Sequence, residues 1–82
     1  MEIEEIKSLI ESGVSTSHVE VVGDGTHFKA VVVSSDFENK MVVDRHKLVY
    51  KALGSAMDED IHAISLKTYT PHQWQSIQQK GD

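Results

Sequence analysis

The sequence predicts an α+β domain of order α-β-β-α-β-α, a three-stranded mixed sheet with helices on one face. Three observations carry this. Apolar residues recur at helical spacing near the N-terminus and again in the middle of the chain. Two alternating runs flank Gly23-Asp24-Gly25-Thr26, a turn made of residues that tolerate positive φ. A last β-like run follows the central helical stretch, which can serve as the crossover that a parallel strand needs.

The elements follow in order. Ile3, Ile6, Leu9, Ile10 and Val14 mark a helix over about Glu2 to Ser12. Glu2, Glu4 and Glu5 suit its positive end, and Gly13 suits a left-handed stop. His18–Val22 alternates as a strand, with Val19 and Val21 sharing a face. His27–Val33 is its antiparallel partner, with Phe28, Ala30 and Val32 on one face. Ser34-Ser35-Asp36 caps a short turn around Phe37. A helix is expected from about Val42 to Met57, with an apolar stripe of Val42, Val43, His46, Val49, Tyr50, Leu53 and Met57. Asp44, Arg45, Lys47 and Lys51 fall mostly outside that stripe. Gly54 is the place where this helix can break or kink. Asp58-Glu59-Asp60 connects to a strand over Ile61–Tyr69. Thr70 then caps a final helix, with Pro71 at its first position, Gln73 completing the box, and Trp74 and Ile77 as its apolar stripe. The polar tail from Gln78 to Asp82 is expected to fray.

Composition bounds the function. The chain has 82 residues, enough for a single domain, 1–82, with one core. With 39% hydrophobic and 26% charged residues it has the balance of a soluble globular protein rather than a disordered one. No apolar run reaches a membrane span, and the acidic N-terminus is unlike a signal peptide, so a cytoplasmic location is expected. The net charge of −5 weighs against nucleic acid as a default partner. There is no cysteine, hence no disulfide, no thiol nucleophile and no thiolate metal ligand from this chain. Nucleophile-elbow, Walker and dinucleotide signatures are all missing, so no catalytic residue is assigned and a non-enzymatic role is expected.

The five histidines are the residues that can carry chemistry. His18 and His72 read as solvent-facing residues at element ends, and His46 as a semi-buried residue of its helix. His27 opens the second strand beside the glycine turn, within reach of partners. His62 opens the last strand. Alternation puts it on the face of Ile64 and Leu66, the parity of a core residue, while a first strand position lets a side chain project past the core edge. If His27 and His62 converge, they make half a metal site. A structural tetrahedral site needs four ligands, and the remainder would come from a partner protein or a thiol.

The segment Ile61-His-Ala-Ile-Ser-Leu-Lys-Thr-Tyr-Thr-Pro71, followed by Trp74, resembles the C-terminal signature of BolA-like proteins. Gly23-Asp-Gly-Thr-His-Phe28 resembles that family's hairpin loop, and Arg45-His-Lys-Leu-Val-Tyr50, with Leu53, its helix motif. The resemblance covers about residues 2 to 76, and the arrangement resembles the IbaG-related bacterial branch. It implies a fold like the type II KH domain. It also implies partnership with a monothiol glutaredoxin and a shared [2Fe-2S] cluster. In that arrangement the glutaredoxin cysteine and glutathione supply sulfur, His62 and His27 supply nitrogen, and the isolated chain binds no cofactor. Where many members have Phe-x-Gly this chain has Phe37-Glu38-Asn39, and asparagine is the next-best residue for a left-handed position. The Gly-x-x-Gly loop of nucleic-acid-binding KH domains is missing. A regulator binding DNA through Arg45, Lys47, Lys51 and Lys40 is the alternative function, and a homodimer the alternative assembly.

Overall fold

The structure, a computed structural model, describes residues 2–56 and 63–80. Helix α1 (Ile3–Gly13) opens with a capping arrangement in which the Glu5 carboxylate accepts from the Glu2 backbone N–H at 3.4 Å. The helix ends at Val14, which is extended and donates to Ile10 O at 3.0 Å. Gly13 is therefore not the left-handed stop expected of it. Its role is a close approach: a Cβ there would lie 2.4 Å from Ala52 Cβ. The bare Cα is what lets α1 pack against the later helix.

Strand β1 (Thr16–Gly23) pairs antiparallel with β2 (His27–Ser34), which pairs parallel with β3 (Ala63–Tyr69), in the order β1-β2-β3. The mixed sheet is the expected one. Val19, Val21, Phe28, Ala30 and Val32 share one face with Ile64 and Leu66, and the core forms between them and Ile6 and Ile10 of α1. Phe37, in a 3-10 turn at Ser35–Phe37, is fully buried in the same core. Ser34 fixes that turn, accepting from Asp36 N–H at 3.0 Å and donating to Ser15 O. Asp36 in turn accepts from Ser15 N–H at 3.0 Å. Asn39 has φ 63°, the left-handed residue that takes glycine's place in the turn.

Helix α2 (Val42–Leu53) stops at Gly54, whose φ of 57° and ψ of −134° suit only glycine. The chain thus takes the break at Gly54 rather than running on as one helix to Met57, which lies outside the described residues. The expected apolar stripe is also rotated. Val42 and Val43 are exposed and Tyr50 is partly so, while Arg45, Val49, Leu53 and Ala56 face inward. Two stripes compete on this helix, and the inner one is chosen by its fit to α1 at Gly13–Ala52 and by the hydrogen bonds of Arg45.

Helix α3 (Pro71–Lys80) begins with the predicted capping box: Gln73 N–H donates to Thr70 Oγ1 at 3.2 Å, and Thr70 N–H donates to Gln73 Oε1 at 2.9 Å. The helix runs through Lys80. It does not join α1 and α2 on their side of the sheet. His18, Val33 and Tyr69 form one cross-strand row on the opposite face, and Trp74 packs there, stacked on His18 at 5.0 Å and tilted against Tyr69 at 5.6 Å. Val33 is fully buried beneath this cover although it lies outside the main core. Apolar residues on both faces of the strand ends require cover on both faces, so the three described helices divide between them.

Candidate functional site

The two ends of the sheet carry the residues singled out in the sequence. At the hairpin end, Asp24 organises the turn. Its Oδ1 accepts from the backbone N–H of Thr26 at 3.1 Å and of His27 at 2.9 Å, and lies 3.2 Å from Thr26 Oγ1. Asp24 N–H donates to His27 O at 3.2 Å, closing the loop, and Gly25 supplies the positive φ of 105° that the turn needs. Those donors, the His27 and Thr26 backbone N–H groups first, hold the Asp24 carboxyl down at about 2. It is therefore ionised at neutral pH.

His27 stands beside this carboxylate, exposed, with Nδ1 3.1 Å from Thr26 Oγ1. It borders a shallow concavity lined by Val22, Phe28, Lys29 and Ser65. The ring can thus reach a partner while one of its nitrogens is tied to its own hairpin. His27 also pairs across the parallel ladder with Ala63. His62 itself lies outside the described residues. Among the described residues no group of three or more His, Cys, Asp or Glu side chains is gathered to hold a metal.

At the other end of the sheet lies Arg45, expected on the solvated basic face of α2. It is only 8% exposed. Nε donates to Lys40 O at 3.0 Å, Nη1 donates to Thr68 O at 3.3 Å and to Gln73 Oε1 at 3.0 Å, and the guanidinium lies 5.9 Å from the Phe37 ring centroid. This side chain ties the 3-10 turn, β3 and α3 together, with three of its five N–H donors used inside the fold. The error came from reading the helix's charged face by its residue types, when the burial of the opposite stripe was decided by tertiary packing. Lys40, Lys47 and Lys51 remain exposed.

Two histidines sit as predicted and one does not. His46 is half-buried, edge-on to Tyr50 at 6.4 Å, and His72 is exposed. His18 is half-buried under Trp74, with Nε2 3.3 Å from Glu20 Oε2. The site residues missed in the sequence are Asp24 and Thr26, read there only as turn formers. Their signal was present: an Asp three residues before a strand-opening His, with a hydroxyl residue between.

The model of the family described as BolA-like protein matches residues 3–73. Acid stress protein IbaG of Escherichia coli K12 is 39% identical over 75 residues, covering 90% of this chain and 89% of that protein. The DNA-binding transcriptional regulator BolA of Haemophilus influenzae is 41% identical over 54 residues, 66% of this chain. The match takes in 52% of that relative, so this chain spans about half its length. Among solved structures, that of a BolA protein homologue from Coxiella burnetii is 49% identical with a TM-score of 0.79, covering 92% of this chain and 97% of that one. With the mixed sheet, the hairpin and the helix order all in agreement, the chain belongs to the BolA-like protein family.

Proposed function

We propose that this chain is a non-enzymatic adaptor that binds a monothiol glutaredoxin and co-ligates a [2Fe-2S] cluster through His27 and His62, in iron–sulfur trafficking or in iron, redox and stress regulation. The observation that carries the reading is the exposed His27, anchored to its own hairpin at the end of β2 where β3 also begins. The donor chemistry fits a shared cluster. This chain has no cysteine, so it offers imidazole nitrogen and needs thiolates from a glutaredoxin cysteine and glutathione. A cluster held partly by imidazole has a higher potential than an all-thiolate one.

The test is anaerobic co-purification with a monothiol glutaredoxin and glutathione, read by visible absorption and circular dichroism. His62→Ala and His27→Ala should each weaken the cluster and change its spectrum, while the apo complex persists. A cluster spectrum indifferent to both substitutions would rule the reading out.

The second reading, a DNA-binding regulator, draws support from the name of the Haemophilus relative and from Lys40, Lys47 and Lys51. It has lost its best-placed cation, since Arg45 is committed to backbone carbonyls. Salt-dependent binding to duplex DNA, abolished by charge reversal at Lys47 and Lys51, would favour it.

A further inference from the structure

The hairpin's hydrogen bonds have a direction. Thr26 Oγ1 lies 3.2 Å from Asp24 Oδ1 and 3.1 Å from His27 Nδ1, yet a hydroxyl has one proton to give. An aspartate carboxyl is ordinarily ionised at neutral pH, and two backbone N–H groups and the threonine hydroxyl all point at Asp24 Oδ1. An ionised carboxylate only accepts. The contact between Oγ1 and Oδ1 is therefore a hydrogen bond only if the threonine proton lies on it. Oγ1 then faces the imidazole with a lone pair, and its contact with Nδ1 is a hydrogen bond only if Nδ1 carries a proton.

The opposite assignment turns the hydroxyl toward Nδ1. It leaves an oxygen lone pair facing a carboxylate oxygen at 3.2 Å and gives up the charge-assisted bond, the stronger of the two. A neutral imidazole has one N–H, so the first assignment leaves Nε2 unprotonated. Among the described residues the His27 ring has no hydrogen bond other than the one at Nδ1.

We propose that Thr26 and Asp24 are positioning residues that hold neutral His27 in its Nδ1–H tautomer, leaving the Nε2 lone pair as the metal-ligating atom. Free histidine prefers the proton on Nε2, so the hairpin reverses the ordinary preference. The arrangement is the carboxylate–histidine–metal relay with a hydroxyl inserted between carboxylate and ring. Only the identity of the metal rests on the cluster reading; the tautomer belongs to the chain alone.

The experiment is long-range proton–nitrogen NMR of the full chain, labelled with ¹⁵N-histidine, at about pH 8, where imidazole is neutral. Wild type should show His27 predominantly as Nδ1–H. Thr26→Val keeps the side-chain shape and the backbone N–H to Asp24, and should return His27 to predominantly Nε2–H. Thr26→Ser should retain the wild-type pattern. Predominant Nε2–H in wild type, or a Thr26→Val spectrum with the ring unchanged, would overturn the proposal. If Thr26→Val fails to fold, the wild-type spectrum decides alone. The two readings fail separately: a wrong tautomer leaves the cluster reading standing, and a cluster indifferent to His27→Ala leaves the tautomer standing.

Discussion

The two ends of the sheet treat their candidate functional groups in opposite ways. At the end where β2 and β3 finish, Arg45 is buried and donates to Lys40 O, Thr68 O and Gln73 Oε1. At the end where they begin, His27 is exposed, and among the described residues its ring is hydrogen-bonded only through Nδ1. A polar group that is buried and hydrogen-bonded to several parts of its own fold is a structural part, and an exposed ring held through one nitrogen can offer the other to a partner. Residue type gave no hint of the difference, because both positions were plausible sites in the sequence.

The contrast is broken most directly by removing each group. Arg45→Met removes three partly buried hydrogen bonds made by a charged group and should cost about 3 kcal/mol of stability, read as a lower urea midpoint. His27→Ala, at an exposed position, should stay within about 0.5 kcal/mol. If the two substitutions cost the same, the division into a structural end and a binding end fails.

The helix packing that seats Arg45 can be probed at Gly13. Gly13→Ala drives a methyl into Ala52, whose Cβ would be 2.4 Å away, and should destabilise by about 2 kcal/mol despite alanine's better helix propensity. Stabilisation instead would mean that α1 and α2 are not pressed together there.

The hairpin end should respond to acid through Asp24. Its folded pKa is lowered from 3.8 to about 2, so its contribution is complete above about pH 4 and is lost as pH falls through about 2. The Thr26 and His27 amide signals should follow that titration, with protection from exchange falling in the same interval. In Asp24→Asn the titration should vanish. A wild-type midpoint near the ordinary carboxylate value would contradict the hydrogen bonding described for the turn.

The smallest effect is expected at the remaining cations. Lys47→Glu with Lys51→Glu should change stability by less than about 0.5 kcal/mol for each site and leave cluster spectra unaltered. Loss of the glutaredoxin complex in this variant would extend the binding end across α2.

Much of the fold was legible because local signals agreed. The Thr70–Gln73 capping box, the Gly23–Thr26 turn and the alternation of Phe28, Ala30 and Val32 each specify a piece without help from the rest. What escaped was tertiary. The orientation of α2 depends on a contact between Gly13 and Ala52, residues 39 positions apart, and periodicity within one helix cannot choose between two apolar stripes. Trp74 was assigned to a helix correctly, but its position across His18 and Tyr69 follows from the row His18–Val33–Tyr69, which exists only once the strands are in register. At the candidate site His27 was legible by type and position, whereas its support by Asp24 and Thr26 required side-chain directions.

The central claim is that His27 and His62 give nitrogen ligands to a cluster whose thiolates come from a partner. It is tested most directly by the circular dichroism of the anaerobic complex with a monothiol glutaredoxin and glutathione, comparing wild type, His27→Ala and His62→Ala. The account predicts a cluster spectrum in wild type that is altered and short-lived in each variant, with the apo complex intact. Spectra and lifetimes identical across all three proteins would contradict it.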